Sequence, residues 1–156
     1  MLGYDLLSLS YDELYGGEQI GKYHAALRSL DLQKCGRILD LGCGTGLLYD
    51  YLLGLGWTGE YVGLDLSAGM LEKAKMRGPQ HLIQADAHKL PFRDKVFTYV
   101  FSFTVIHHCN PETFHAEAKR VAQRLVIISQ HRRLFPRLDE KTAVEMGDEE
   151  FIITEP

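Results

Sequence analysis

Apolar runs that end on an aspartate occur three times before residue 90, and helical patterns separate them. Arg37-Ile38-Leu39-Asp40-Leu41 is the first, Glu60–Leu66 holds Asp65 near its end, and His81–Ala85 leads into Asp86. Strands this short and apolar on both sides suit the inside of a parallel sheet. Parallel pairing needs a crossover between strands, and the intervening segments can supply it. Thr45–Leu55 places Leu47, Leu48, Tyr51, Leu52 and Leu55 on one side, with Gly54 and Gly56 at its end. Ser67 caps a helix with Met70, Leu71 and Ala74 inward, which Gly78-Pro79 stops.

The alternation continues. Residues 12–30 carry Ile20, Tyr23, Leu27 and Leu30 at helical spacing. Lys95–Val105 contains a fourth strand. Asn110-Pro111-Glu112 opens a helix with Phe114, Ala118 and Val121 inward. Arg124–Ser129 is a fifth strand and Glu149–Thr154 a sixth, while 136–148 reads as a short helix (Leu138 to Met146) or an irregular loop. The expected class is α/β: a doubly wound, mostly parallel sheet of six to seven strands flanked by helices.

A length of 156 residues suits one domain over 1–156, divided into an N-terminal helical lid (1–30), a cofactor-binding core (37–130) and a shortened C-terminal part (131–156). The net charge of −4 argues against a strongly electrostatic nucleic-acid binder. Cys35, Cys43 and Cys109 are odd in number and form no C-x-x-C pair, so free thiols in a reducing compartment are expected and a metal site is not. Neither a signal peptide nor an apolar stretch of about 20 residues is present, which points to a cytoplasmic protein without a membrane partner.

The loop after the first strand carries Gly42, Gly44 and Gly46 at alternate positions. Such glycines let backbone approach a ligand, and the following helix aims free N–H groups at the same space. The dinucleotide fingerprint is G-x-G-x-x-G; here the spacing is one residue tighter and Asp40 precedes the first glycine. That carboxylate would repel a pyrophosphate and suits a cationic cofactor. No Gly-Lys-Ser/Thr follows, so a P-loop is excluded. Asp65 can accept from both hydroxyls of a ribose. Asp86 can accept from the exocyclic amine of adenine, with Ala87 adding a backbone N–H.

With these residues in place, the chain resembles the class I methyltransferases, specifically the small single-domain group of ubiquinone-biosynthesis and tRNA-modification type. Asp40–Gly46 matches that family's first motif. Val62-Gly63-Leu64-Asp65-Leu66-Ser67 is similar to the second, Gln84-Ala85-Asp86-Ala87 with Leu90-Pro91-Phe92 to the third, and Thr104-Val105-Ile106-His107-His108 to the segment after strand four. The resemblance covers roughly residues 4–130 and implies a Rossmann-like fold with S-adenosyl-L-methionine as cofactor. It implies that Gly42 and Gly44 approach the methionine part, and that Asp40 orients its amino group. Asp65 would hold the ribose, Leu66 and Met70 flank the adenine, and Asp86 and Ala87 read its edge. Phe103 and Thr104 would border the methyl donor, with Tyr4 and Tyr11 folding over the cofactor. Cys43, a small filler, and Gly46 would complete the cofactor-binding loop. The family's usual Pro-Gly-Gly turn before strand five is missing from Arg120-Val121-Ala122-Gln123-Arg124.

Methyl transfer from a sulfonium is an in-line displacement governed by alignment, and a general base is needed only if the nucleophile must lose a proton. His108, and next His107, are the candidates for it. The Asn/Asp-Pro-Pro-aromatic motif of amino-group methylation is absent, and Cys109 lacks the context of a cytosine-attacking nucleophile. The expected activity is methylation of a small molecule or a modified nucleoside, with tRNA among the acceptors. The alternative is a regulatory or subunit module that binds S-adenosylmethionine without turnover. Some relatives pair a small zinc-binding activator protein with the third-strand edge, here His81-Leu82-Ile83.

Overall fold

A computed structural model describes residues 10–156 of the chain. In chain order the elements are α1 (Tyr11–Leu27), β1 (Ile38–Leu41), α2 (Leu47–Gly54), β2 (Tyr61–Asp65), α3 (Ala68–Lys75), β3 (His81–Gln84), β4 (Phe97–Ser102), a 3-10 turn (Ile106–His108), α4 (Pro111–Val121), β5 (Ala122–His131), β6 (Val144–Met146) and β7 (Glu149–Thr154). The strands form one seven-stranded sheet in the order β3-β2-β1-β4-β5-β7-β6. The first five run parallel, and β7 and β6 pair antiparallel. This is the Rossmann-like, mostly parallel sheet expected from the alternating pattern. Strand order reverses between β1 and β4, which opens a crevice at their carboxyl ends.

Every residue of β1 and β4 is buried, because helices cover both faces. On one face Leu39, Leu41, Val100 and Val126 pack with Phe114 and Val121 of α4. On the other, Ile38, Tyr99, Phe101 and Ile127 pack with Tyr23 of α1 and with Leu48 and Leu52 of α2. Each large apolar side chain taken fully out of water contributes about 2 kcal/mol.

The caps work as the sequence implies. Ser67 Oγ accepts the Met70 N–H at 3.2 Å, and Asn110 Oδ1 accepts the Thr113 N–H at 2.9 Å. The missing Pro-Gly-Gly turn has a structural substitute. Helix α4 runs directly into β5, and the N–H groups of Lys95 and Val96 donate to the carbonyls of Arg120 and Val121, both at 2.9 Å. The approach to β4 thus satisfies carbonyls that a turn would otherwise cap. Arg120 adds a second brace. All five of its N–H donors are used, on Glu117, Asp94 and the carbonyls of Leu90 and Phe92.

Three details differ from the sequence pattern. The buried face of α1 is Gln19, Lys22, Tyr23, Ala26 and Leu27, whereas Ile20 is 46% exposed. The face is rotated because a lysine and a glutamine inside it have polar partners. Leu55, expected inward, is exposed. The segment 136–148 contains neither a helix nor only loop: Val144–Met146 forms the edge strand β6, pairing with β7 across Gly147.

Candidate cofactor cleft

The crevice between β1 and β4 deepens into a cavity of about 330 Å³, within the range of small-molecule sites. Two walls meet there. Asp65, Leu66, Ser67, Met70, Ala85 and Ala87 form one, from β2, α3 and the residue pairs after β3; Gly42, Gly44, Phe103, Thr104, Val105 and His108 form the other, with Tyr11 of α1 at its rim. Among the described residues that line it, none is a lysine or arginine.

The glycine loop sets the depth. Gly42, Gly44 and Gly46 have φ of 79°, 53° and 80°, a region that favours glycine. A Cβ on Gly42 would lie 2.3 Å from Val105 Cγ2, whereas one on Gly44 would meet nothing within 4 Å. Gly42 therefore allows the loop to close on the β4 end, and Gly44 leaves the cradle open. Gly46 does not line the cavity; it packs on Ala74 of α3. Cys43 faces away, with its Sγ against Gly63.

Asp65 accepts the Gly44 N–H at 2.8 Å on one oxygen and the Ser67 N–H at 2.9 Å on the other. It ties the loop to the start of α3, a bracing role the sequence did not reveal. Asp40 lies behind the loop, 3% exposed, and accepts the Tyr61 hydroxyl at 2.6 Å. Burial pushes its carboxyl up to about 7, aided by the charge of Asp65 and opposed by the Tyr61 bond. Asp86 turns outward: it is 61% exposed and its Oδ1 engages the backbone N–H and Nδ1 of His88. His88 Nε2 in turn accepts the Asn110 N–H at 2.9 Å, joining the loop after β3 to α4.

The two histidines separate. His108 lines the cavity. His107 does not: its Nε2 accepts the His131 N–H at 2.9 Å, and its Nδ1 lies 3.3 Å from the Pro136 carbonyl. The ring is neutral with its proton on Nδ1, and burial holds its pKa below the ordinary histidine value. His115 is lowered by burial as well. A lowered histidine pKa gives stability that is complete above the unfolded-state value of 6.5 and is lost as pH falls through the folded value. His107→Gln, which keeps one donor and one acceptor, should therefore lose less stability than the unaltered chain between pH 6.5 and 5 in urea titrations; equal losses would show that His107 does not titrate with unfolding. Cys109 is half-buried, and burial together with Asp86 pushes its thiol up to about 11, so it stays protonated.

Helix α1 is fastened to this site twice. Asp12 bonds both the Thr45 hydroxyl and Arg77, which also pairs with Asp50 and donates to the Thr45 carbonyl at 2.7 Å. Further along, Lys22 and Gln19 reach Thr104. Tyr4 lies outside the described residues.

The family model for the methyltransferase domain matches residues 39–127, from β1 to the middle of β5. The chain belongs to the methyltransferase domain family. S-adenosylmethionine is the cofactor this membership implies, and the cleft fits it: one wall sets apolar Leu66, Met70, Ala85 and Ala87 beside Asp65, the glycine cradle is open, and no described lining residue is a lysine or arginine. An uncharacterized protein of Methanocaldococcus jannaschii is 33% identical over 76% of this chain and 45% of its own length. Malonyl-[acyl-carrier protein] O-methyltransferase of Legionella pneumophila is 44% identical over 46% of this chain and 26% of its own. The methyltransferase domain described here thus spans less than half the length of these curated relatives. Among solved structures, a chain from the complex of the Haloferax volcanii Trm112 methyltransferase activator with a proposed methyltransferase superposes with a TM-score of 0.69 at 21% identity, over 81% of this chain and 59% of that one. That likeness concerns the fold. Among the described residues, no helix is long and apolar enough to cross a membrane, and no cluster of three or more His, Cys, Asp or Glu residues could hold a metal ion.

Proposed function

We propose that this chain is the catalytic domain of an S-adenosylmethionine-dependent methyltransferase acting on a small molecule or a modified nucleoside, tRNA included. The observation that carries this is the polarity of the cleft: Asp65 in its wall, Asp40 behind its loop, and no lysine or arginine among the described residues that line it. A cationic ligand suits that surrounding, and a dinucleotide does not. When bound, S-adenosylmethionine would supply an electrophilic methyl group on a sulfonium, to be taken by the acceptor as the neutral thioether is displaced in line.

The chain's own residues bind, orient and exclude water. Asp65 holds ribose hydroxyls. Leu66, half-exposed in the apolar wall, and buried Met70 flank the base, with Ala87 at its edge; the outward Asp86 acts there by fixing His88. Gly42 and Gly44 give backbone access to the amino-acid end, and Phe103 and Tyr11 close the space above it. His108, in the second wall, accepts a proton where the methyl acceptor must lose one. His107 secures the loop after β5 that stands beside that wall.

Calorimetry with S-adenosylmethionine, its homocysteine product and NAD tests the cofactor assignment; preference for NAD would overturn it. Asp65→Ala should weaken binding by about 1–3 kcal/mol, and unchanged affinity would remove Asp65 from the ribose site. Turnover assays on tRNA and on small-molecule extracts separate the acceptor classes. Cofactor binding without turnover on either would favour the regulatory-module reading. The open edge of the sheet at β3 supports a further expectation, a small zinc-binding activator seated there; a Trm112-type protein that leaves stability and turnover unchanged would count against it.

A further inference from the structure

Thr104 is held in a conformation a β-branched residue avoids, with φ of 64°. Such a residue costs about 1–3 kcal/mol and persists only where its surroundings impose it. Here they do. Its N–H donates to Ser129 Oγ at 2.8 Å, and its Oγ1 accepts from Lys22 Nζ at 3.0 Å and from Gln19 Nε2 at 3.2 Å. Lys22 is 1% exposed, and its ammonium also meets Glu18 at 2.8 Å and Glu149 at 3.0 Å. Its three protons are thereby assigned, one of them to Thr104.

The consequence is chemical. Two donors occupy both lone pairs of the Thr104 oxygen, so this hydroxyl can only donate. The two α1 donors leave its hydrogen the directions away from α1, and Thr104 is among the residues that line the cavity. The neighbouring Val105 abuts Gly42, which puts the hydroxyl beside the part of the cleft assigned to the amino-acid end of the cofactor. That end carries one donor-only group, an ammonium, and one acceptor-only group, a carboxylate. A donor-only hydroxyl complements the carboxylate alone. We propose that the Thr104 hydroxyl is a specificity determinant for the carboxylate of the methyl donor, and that Lys22 and Gln19 are positioning residues that fix the direction of its proton. This rests on the cofactor assignment made above.

The test compares two ligands by calorimetry: S-adenosylhomocysteine, which has the carboxylate, and 5′-methylthioadenosine, which lacks the amino-acid end. Thr104→Val should weaken the first by about 10- to 100-fold, as for a lost bond to a charged group, and the second by less than about twofold. Thr104→Ser should restore the preference, and Gln19→Leu, which frees one lone pair, should reduce it in part. If valine compromises folding by thermal melt, Thr104→Ala carries the same comparison. Equal losses for both ligands, or an intact preference with a raised KM for the methyl acceptor, would overturn the inference and leave the cofactor assignment standing. Binding of neither ligand by the unaltered chain would overturn both.

Discussion

Asp40→Asn should yield a protein that is more stable than the original at pH 8 and binds S-adenosylmethionine less well. The carboxyl is buried beneath the glycine loop with one hydrogen-bond partner, Tyr61, and stands at about 7 against an ordinary 3.8. A carboxyl raised that far carries its charge in the fold at a cost of about 4 kcal/mol. Because the folded value lies above the unfolded one, the stability it contributes is complete below 3.8 and is lost as pH rises through about 7. Asparagine removes the charge and still accepts from Tyr61, but its amide protons need partners, which takes back about 1–3 kcal/mol. The net gain at pH 8 is about 2 kcal/mol. Urea titrations should show the two proteins diverging between pH 4 and 7 and running parallel above; parallel behaviour throughout would mean that Asp40 is not the titrating group. The ligand-free fold thus bears a charge that only a cationic ligand compensates, so the same substitution should abolish any proton release on cofactor binding near pH 6.

Alanine at Gly42 and at Gly44 should separate folding from binding. At Gly42 the new Cβ would lie 2.3 Å from Val105 Cγ2 at a φ of 79°. Overpacking and the left-handed backbone together cost about 2–5 kcal/mol, enough to lower the melting temperature by about 4–20 °C. At Gly44 nothing stands within 4 Å, so only the backbone cost of about 1–2 kcal/mol remains. The methyl group then occupies the open cradle, and affinity for the cofactor should drop by about 5- to 150-fold. Equal loss of binding in a folded Gly42→Ala and no loss in Gly44→Ala would place the ligand elsewhere.

The cofactor half of this domain was legible because its signals are local. A strand that ends on an acid, the glycines at the left-handed positions of the loop after β1 and Ser67 as a cap all lie within a few residues of what they act on. The other half depends on distant pairs. Lys22 looks like a solvated residue of α1, and its burial makes sense only with Glu149, which arrives on β7. Nothing in threonine's chemistry announces a left-handed Thr104. Asp86 stands where an adenine-reading acid would, but the nearby His88 competes for it. His107 and His108 are adjacent in sequence and alike in type; the 3-10 turn sends one to the cavity and the other to the backbone of His131. Strand β6 has three residues, too few for a period to register.

The two fastenings of α1 differ in kind. Asp12 and Arg77 meet near the surface, where dissolved ions compete for both. Lys22 is sealed among Glu149, Gln19 and Thr104, beyond the reach of salt. The helix is therefore held by one contact that salt weakens and by one that it does not. Raising the ionic strength should speed amide hydrogen exchange in its outer turn, at 12–15, and leave the inner turn, at 19–23, unchanged.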